Sequence, residues 1–384
     1  MTIKIAVLGS TGSIGESTIK VVRSLKEKIK IVGLSAGKNI NKVLEQIKEF
    51  SPYAVSVKDE EDAKIVKKYF PKLEVFYGEQ GSVEIASLTE AKTVIAAIVG
   101  ISGLPSTHKA VKLGKRVALA NKEALVTAGR IITQTAKRSG AEIIPVDSEH
   151  CAIFQCLRGE STKYVRQILL TGSGGALRDY PLDKIKNASL KDVLNHPTWK
   201  MGRKITVDSA TLVNKGLELI EASYLFGIPQ EKIEIIIHRE SIVHSLVEFL
   251  DGSIMAQLAS PDMTLPIQYA ITFPMRLEGQ VKRLNLCDLK SLTFEKPEKK
   301  RFPCLDLARS AFRESEAHTI AFNAANEVAV KTFIDGIINF GKIYTVIKGV
   351  LEKTISYKPE TIEEILYIDK KSREFAQNII SKGE

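Results

Sequence analysis

The segment Ile3-Lys-Ile-Ala-Val-Leu8 runs directly into Gly9-Ser-Thr-Gly12-Ser-Ile-Gly15, and this junction is the strongest fold signal in the chain. The apolar run predicts a buried strand, and the amphipathic segment that begins at Gly15 predicts a helix. Glycines at such a junction let backbone amides approach an anionic group at the helix N-terminus. The spacing is G-x-x-G-x-x-G rather than the commoner G-x-G-x-x-G, so a packing role stays open. Its place at the start of a strand–helix array favours dinucleotide binding.

The alternation of strand and helix continues to Val146. Strand-like runs are KIVGLSA, YAVSV, KTVIAAI, RVALA and AEIIPV, and helix-like segments are 15–28, 42–50, 60–69 and 122–138. This pattern predicts βαβ units and an α/β domain with a doubly wound parallel sheet. We place that domain at residues 1–147, a central α+β domain at 148–283, a linker at 284–304 and a C-terminal helical domain at 305–384.

The composition is that of a globular protein. The chain has 384 residues, of which 44% are hydrophobic and 26% charged, which suits two or three domains. The longest uncharged stretch, 93–108, contains two glycines and a proline and is too short to cross a bilayer. No signal peptide is recognisable at the start, and the four cysteines show no zinc-like spacing. We therefore expect no membrane association, reduced thiols packed as small hydrophobic groups, and a cytoplasmic location.

The charge pattern favours a small anionic partner over a nucleic acid. The net charge of +10 comes from 55 basic and 45 acidic residues that are spread along the chain. The densest basic patch, 296–301, contains a proline and is interrupted by a glutamate, so we interpret it as a solvated linker. A modest basic excess suits a phosphorylated small molecule.

The end of the second predicted strand favours NADP over NAD. The strand ends in Ser35-Ala-Gly37-Lys38-Asn39, and no acidic residue follows before Glu45. An NAD site usually places an acidic side chain here against the ribose 2′-hydroxyl. A lysine with small polar neighbours suits a 2′-phosphate instead.

A pair of acidic residues follows the strand AEIIPV. Asp147-Ser148-Glu149 stands at the carboxyl end of that strand, where α/β enzymes bind ligands. In extended backbone, the two carboxylates would point to the same side and share a cation or a proton. The alternative is a helix N-cap with an exposed acid.

A second polar group stands further along the chain. Asn214 and Glu218 are four residues apart on one predicted helical face, beside Lys215. Such a pair commonly lies on a helix face that is only exposed to solvent. If a metal is bound, oxygen ligands imply Mg²⁺ or Mn²⁺, and the histidines do not have zinc spacing.

Two further segments have functional features. Thr171-Gly-Ser173-Gly-Gly175 can present amides and a hydroxyl to an anion. The segment 196–204 places Trp199, the only tryptophan, beside histidine, methionine and basic residues. Trp199 is either a core anchor or part of a flap, about 173–204, that shields a substrate from water.

These motifs occur together, in order, over residues 9–263: GSTGSIG, AGKN, LANKE, PVDSEH, AIFQ, TGSGG, HPTWKMGRKITVDSATLVNKGLE, SIVHSLVEF, DGS and SPDM. The series closely resembles the 1-deoxy-D-xylulose 5-phosphate reductoisomerase family of the non-mevalonate isoprenoid pathway. The helical tail, with AFNAANEVAV, is similar as well. This resemblance implies a Rossmann-like N-terminal domain. The chain departs from the family where Ala176-Leu177-Arg178 replaces a common Pro-Phe-Arg, and where Cys151 follows SEH.

The resemblance implies a role for each residue that matches the family's motifs. The implied NADPH contacts are Thr11, Gly12, Ser13, Ile14, Gly37, Lys38, Asn39, Asn121, Glu123 and Gly202. The implied metal ligands are Asp147, Glu149 and Glu218, and the sugar oxygens would meet Lys122, Ser148 and Glu149. The phosphate end would be bound by Ser173, His196, Ser209, Asn214 and Lys215, with Ser241 and His244 nearby, Trp199 and Met201 in the flap, and Met263 on a facing loop.

The resemblance implies NADPH- and metal-dependent rearrangement and reduction of 1-deoxy-D-xylulose 5-phosphate to 2-C-methyl-D-erythritol 4-phosphate, by a homodimer. Two rival functions stay open at this point. A plain NADP-dependent dehydrogenase of a phosphorylated hydroxy-aldehyde would need no metal. A dinucleotide-sensing binding protein would have no use for the three acids or for Lys122.

Overall fold

A computed structural model describes residues 2–382 of the chain. The described residues form two compact units. The first runs to Ala124 and includes Ile132–Cys151 and Asp262–Lys282, and the second comprises Leu125–Ile131, Ala152–Pro261 and the chain from Arg283 onward.

The first unit is built on a seven-stranded sheet in which every paired neighbour is parallel, in the order β4-β3-β2-β1-β5-β6-β7. The strands are β1 Ile3–Leu8, β2 Ile29–Ser35, β3 Ala54–Val57, β4 Glu74–Tyr77, β5 Thr93–Ala96, β6 Arg116–Leu119 and β7 Ile143–Pro145. All residues of β3 and β5 are buried, which requires cover on both faces of the sheet. The strand order reverses between β1 and β5, and such a switch point opens a crevice for a ligand.

The helices of this unit alternate with its strands. They are α1 Ser13–Ser24, α2 Ile40–Phe50, α3 Glu60–Tyr69, α4 Gly78–Ser87 and α5 Leu104–Lys112, with parts of α6 Glu123–Ser139 and α7 Ser148–Cys156. A later helix, α11 (Thr264–Thr272), returns to this unit and packs against α1. The predicted doubly wound fold is confirmed.

The second unit combines a mixed sheet with most of the remaining helices. Its strands, β8 Val165–Gly172, β9 Ile233–Ile237, β10 Val243–Phe249 and β11 Ile254–Leu258, lie in the order β11-β10-β8-β9. Its helices are α8 Leu190–Leu194, α9 Arg203–Thr211, α10 Val213–Phe226, α12 Pro303–Glu314, α13 Glu316–Ile334, α14 Phe340–Lys353 and α15 Ile362–Lys382. One hydrophobic core joins side chains of the sheet with α9, α10 and the C-terminal helices, which confirms the α+β and helical predictions.

The sequence analysis missed several short elements. Strand β4 has two exposed and two half-buried residues, so its segment lacks the apolar run that marks the other strands. Strand β11 lies at the edge of its sheet and its first three residues are exposed. Edge strands have a weak sequence signal because only one neighbour and little burial constrain them.

The predicted three-domain division stays a prediction, and the two compact units follow different boundaries. Residues 148–151 and 262–282 belong to the first unit, and the C-terminal helices belong to the second. Within residues 2–382, no helix is long and apolar enough to cross a membrane. The four cysteines form no disulfide, and Cys287 is the exposed one among them.

Candidate active site

The glycine loop after β1 is shaped by close backbone approaches. Gly9 has a φ of +84°, and a Cβ at this position would lie 2.6 Å from the carbonyl oxygen of Ala97, which follows β5. A Cβ at Gly15 would lie 2.3 Å from the carbonyl oxygen of Gly9. Helix α1 begins at Ser13, with Gly12 at its N-cap, and both of these residues are exposed. The loop therefore offers a helix N-terminus and a cradle of backbone groups. A side chain at Gly9 or Gly15 would collide with that backbone.

The end of β2 has the exposed lysine that a 2′-phosphate would need. Gly37, Lys38 and Asn39 are all exposed. The Asn39 side chain accepts a hydrogen bond from the backbone N–H of Lys42 at 3.2 Å and so caps α2. Asn39 thus has a structural role besides its predicted contact with the cofactor.

The residues after β6 are buried and hydrogen-bonded to the segment that follows β5. The Asn121 amide donates to the carbonyl oxygens of Ile98 and Gly100, the latter at 2.9 Å, and its Oδ1 accepts from the N–H of Ala124 at 3.0 Å. Asn121 and Lys122 are 3% and 6% exposed, and Glu123 is also buried. The amide of Asn121 therefore fixes the backbone that presents Lys122.

Asp147 lies beside Lys122 at the carboxyl edge of the sheet. Its Oδ2 and the Lys122 Nζ are 2.5 Å apart, and both side chains are nearly buried. The carbonyl oxygen of Asp147 accepts from the N–H of Cys151 at 2.8 Å, which places Asp147 at the N-cap of α7. The expectation of extended backbone across Asp147 and Glu149 is wrong, because α7 begins at Ser148. The alternative of an N-cap with an exposed acid is right about the N-cap and wrong about the exposure, since the Asp147 side chain is only 13% exposed and Glu149 is half-buried.

Glu149 lies in the first turn of α7. It accepts a hydrogen bond from the Ser148 hydroxyl, with 2.5 Å between Oγ and Oε2. His150, for which the sequence analysis had no role, is fully buried. One of its ring nitrogens lies within 4.8 Å of an Asp147 carboxylate oxygen. In the sequence, only its place beside Asp147 and Glu149 pointed to a role for His150 in the site.

In the second unit, α10 carries a buried polar group. Asn214, Lys215 and Glu218 are 9%, 5% and 1% exposed. The Asn214 amide donates to Glu218 Oε1, and Lys215 Nζ lies 2.5 Å from Glu218 Oε2. The interpretation as a solvated face is therefore wrong. A carboxylate with this little exposure requires charged or hydrogen-bonding partners, and here its own helix supplies them.

Ser173 and His196 meet although 23 residues separate them. Ser173 Oγ lies 2.9 Å from His196 Nε2. The other ring nitrogen, Nδ1, accepts the backbone N–H groups of Thr198 and Trp199 at 3.2 and 2.9 Å. Burial, and secondarily the charge of Arg178, lowers the pKa of His196 to about 4. The ring is therefore neutral at pH 7, and its proton stands on Nε2 as a donor.

Glycines let the loop after β8 approach the helices that follow. A Cβ at Gly175 would lie 2.5 Å from the carbonyl oxygen of Ser209, and a Cβ at Gly172 would lie 2.9 Å from Cε of Lys215. The loop that carries Ser173 thus lies against α9 at Ser209 and against the Lys215 side chain. Four of the five residues predicted for the phosphate end come together here, and Asn214 is the neighbour of Lys215 in the chain.

The segment around Trp199 lies partly in solvent. Trp199 and Met201 are half-buried and Gly202 is exposed at the N-cap of α9. The Trp199 ring is 6.4 Å from the His244 ring, centroid to centroid, at an interplanar angle of 56°. Trp199 is therefore not a core anchor. Ser241, at a φ of +53°, is mostly buried, and Met263, in the first unit, is half-buried.

Each of the three predicted metal ligands is of a kind that suits a hard divalent cation. Asp147, Glu149 and Glu218 are carboxylates, and Mg²⁺ and Mn²⁺ prefer oxygen ligands. Each carboxylate has a hydroxyl, amide or ammonium partner that orients it. The glycine cradle after β1 likewise fits a pyrophosphate, because a Cβ at Gly9 or Gly15 would collide with backbone.

Comparison with known proteins identifies the family. The model of 1-deoxy-D-xylulose 5-phosphate reductoisomerase matches residues 5–129, and two C-terminal domain models of that enzyme match residues 143–226 and 258–375. The 1-deoxy-D-xylulose 5-phosphate reductoisomerase of Chlorobium phaeovibrioides is 45% identical over 380 residues, which cover 98% of this chain and 99% of the relative. The chain belongs to the 1-deoxy-D-xylulose 5-phosphate reductoisomerase family.

Solved structures of the reductoisomerase family have the same fold. A DOX-P reductoisomerase in complex with NADPH, fosmidomycin and magnesium is 39% identical, with a TM-score of 0.93 over 99% of this chain and 98% of that one. The Zymomonas mobilis reductoisomerase in complex with NADPH is 38% identical, with a TM-score of 0.92 over 99% of each chain. The departure from the reductoisomerase motif at Leu177 is accommodated by packing, because this side chain is fully buried in the core of the second unit.

Proposed function

We propose that this chain converts 1-deoxy-D-xylulose 5-phosphate to 2-C-methyl-D-erythritol 4-phosphate with NADPH and a divalent metal ion. The activity follows from membership of the reductoisomerase family. Among the residues, Glu218 carries the proposal: a carboxylate that is 1% exposed and flanked by an amide and an ammonium group suits a metal-dependent enzyme. A plain dehydrogenase has no use for it.

Asp147, Glu149 and Glu218 would hold the metal. A bound Mg²⁺ polarises carbonyl and hydroxyl oxygens as a Lewis acid, which favours rearrangement of a hydroxyketone. The ammonium of Lys122 orients Asp147, and the Ser148 hydroxyl orients Glu149, so neither carboxylate has to be ordered when the substrate arrives. The rigid first turn of α7 presents Ser148 and Glu149 to the sugar oxygens, and Lys122 would donate to an oxygen on which negative charge develops.

The phosphate end of the substrate would bind Ser173, His196, Ser209, Asn214 and Lys215. His196 contributes through Ser173: its neutral Nε2–H donates to the Ser173 hydroxyl oxygen, because Nδ1 is engaged by backbone amides, and this leaves the hydroxyl hydrogen for the phosphate. Lys215 contributes the positive charge and the two serines contribute hydroxyls. Binding at this remote group orients the sugar without involving the reacting carbons. Ser241 and His244 would lie near the same subsite.

NADPH would bind along the carboxyl edge of the parallel sheet. Thr11, Gly12, Ser13 and Ile14 would receive the pyrophosphate at the N-terminus of α1, and Gly37, Lys38 and Asn39 would receive the adenosine 2′-phosphate. Asn121, Glu123 and Gly202 complete the proposed contacts. NADPH supplies the hydride for the aldehyde that the rearrangement forms. Trp199 and Met201, in the flap, would exclude water. The family resemblance gives Met263 a place on a facing loop.

Three finer points are also proposals. Mn²⁺ should replace Mg²⁺, because both accept the same oxygen donors. A homodimer is supported by β11, which lies at the edge of its sheet with exposed apolar side chains at Ile254 and Met255. A cytoplasmic location is supported by cysteines that form no disulfide, three of them buried. Light scattering tests the dimer, and a monomer at micromolar concentration would contradict it.

The deciding experiment is NADPH oxidation with 1-deoxy-D-xylulose 5-phosphate, with Mg²⁺ or Mn²⁺ present and then removed by a chelator. We expect oxidation that depends on metal and yields a branched tetritol phosphate. Oxidation that persists without metal would favour the plain dehydrogenase. Binding of NADPH without any turnover would favour the dinucleotide-sensing protein.

A further inference from the structure

Arg178 follows the glycine loop 171–175 and reaches back to it. Its Nη1 donates to the carbonyl oxygen of Ser173 at 2.8 Å and to that of Arg239 at 3.4 Å. The Arg178 side chain is only 18% exposed, so its guanidinium is held within the fold. Arg178 thus connects the loop to the start of the turn that leads into β10.

The arginine also packs against the loop. A Cβ at Gly174 would lie 3.0 Å from Cβ and 3.3 Å from Cδ of Arg178, so the Arg178 stem lies across Gly174. Gly174 has a φ of +82°, a conformation that favours glycine. The Ser173 hydroxyl is held separately, by His196 and by the N–H of Gly175 at 3.2 Å.

The positive charge of Arg178 also acts on the Ser173–His196 pair. After burial, it is the second cause of the lowered pKa of His196. Arg178 Nε is 3.6 Å from Asp179, whereas Asp179 makes its shorter contacts, 2.8 and 2.9 Å, with Arg239. Arg178 therefore adds positive charge behind the Ser173–His196 pair.

We propose that Arg178 is a positioning residue for the phosphate group of the substrate. It fixes Ser173 through that residue's carbonyl oxygen, and its charge adds to the attraction of the subsite for a dianion. The inference rests on the proposed function, in which Ser173 and His196 bind the phosphate.

The test compares Arg178→Ala with a matched control, Arg301→Ala. Arg301 donates to the carbonyl oxygens of Leu177 and Tyr180, at 3.0 and 2.5 Å, so it holds the neighbouring turn but does not touch Ser173. We expect the KM for 1-deoxy-D-xylulose 5-phosphate to rise about tenfold or more in Arg178→Ala, with the NADPH KM unchanged and kcat changed much less. Arg301→Ala should lower the Tm and leave both KM values unchanged.

A binding measurement separates this inference from the proposed function. Inorganic phosphate should raise the Tm of the wild type and of Arg301→Ala, and should raise that of Arg178→Ala much less. If the wild type does not turn over the substrate, the proposed function is wrong, and the phosphate-induced shift in Tm still tests Arg178.

Two results would overturn the inference: an unchanged substrate KM in Arg178→Ala, or an equal rise in Arg301→Ala. If Arg178→Ala does not fold, Arg178→Lys replaces it. Lysine keeps the charge but is shorter and lacks the Nη1 group that reaches the carbonyl oxygens of Ser173 and Arg239, so a smaller rise in KM is expected. A wild-type KM in Arg178→Lys would overturn positioning through the Ser173 carbonyl.

Discussion

Gly15, in the first turn of α1, lies directly against the carbonyl oxygen of Gly9 at the end of β1. A Cβ at Gly15 would be 2.3 Å from that oxygen, and 2.4 Å from the carbonyl oxygen of Ser10. No side chain fits at such distances unless the backbone moves. The close approach draws the N-terminus of α1 against the end of β1, where the dinucleotide pyrophosphate would bind.

Gly15→Ala should therefore lower both stability and NADPH affinity. Overpacking against backbone costs about 1–3 kcal/mol of unfolding free energy. Gly12→Ala is the matched control for stability, because its Cβ would be 3.4 Å from Gly9 O and its φ is −81°. We expect a loss of a few tenths of a kcal/mol there, roughly, with weaker NADPH binding. Urea unfolding and NADPH titration measure the two effects, and equal stability of both variants would contradict the close approach.

Lys38→Glu should weaken NADPH far more than NADH. The side chain is exposed at the end of β2, so the change should leave the fold intact while placing a negative charge against the 2′-phosphate. Lys48→Glu, an exposed change of the same charge on α2, is the control. Dissociation constants for both cofactors measure the effect. Equal losses of affinity for NADPH and NADH would contradict the assignment of the 2′-phosphate to Lys38.

Glu218→Gln should abolish turnover and leave NADPH binding nearly unchanged. The amide cannot replace a metal-binding carboxylate, and it leaves the buried Lys215 ammonium without its anionic partner. The glycine loop belongs to a different segment of the chain. Glu231→Gln, an exposed change, is the control. NADPH titration of the inactive variant is the measurement, and lost dinucleotide affinity would mean that the two sites are not separate.

The pH dependence of stability should contain a contribution from His196. Its pKa is about 4 in the folded chain and near 6.5 when unfolded, so the unfolded chain binds the proton more readily between these values. The free energy of unfolding should therefore fall as the pH drops from about 6.5 to 4. His196→Gln should show a smaller fall between pH 7 and 5 by urea unfolding. Ser173→Ala keeps the titrating ring and should retain the wild-type slope; a wild-type slope in His196→Gln would refute the argument.

The parallel sheet, the glycine loop and the use of NADPH could all be predicted from the amino-acid sequence. Each of these is encoded locally: strands and helices have different apolar periods, a glycine loop is contiguous, and Lys38 stands at a fixed place after β2. The same holds for the family resemblance, whose motifs are continuous stretches such as HPTWKMGRKITVDSATLVNKGLE.

Which polar residues are buried, and what they touch, can be seen only in the folded chain. The pattern around Asn214 and Glu218 fits a solvated face equally well, and burial by other segments makes it a low-exposure ion pair with Lys215. Likewise, the contact of Ser173 with His196 joins segments 23 residues apart. A local pattern specifies the period of an element, whereas burial and long-range hydrogen bonds depend on which elements pack together, and that information is spread over the whole chain.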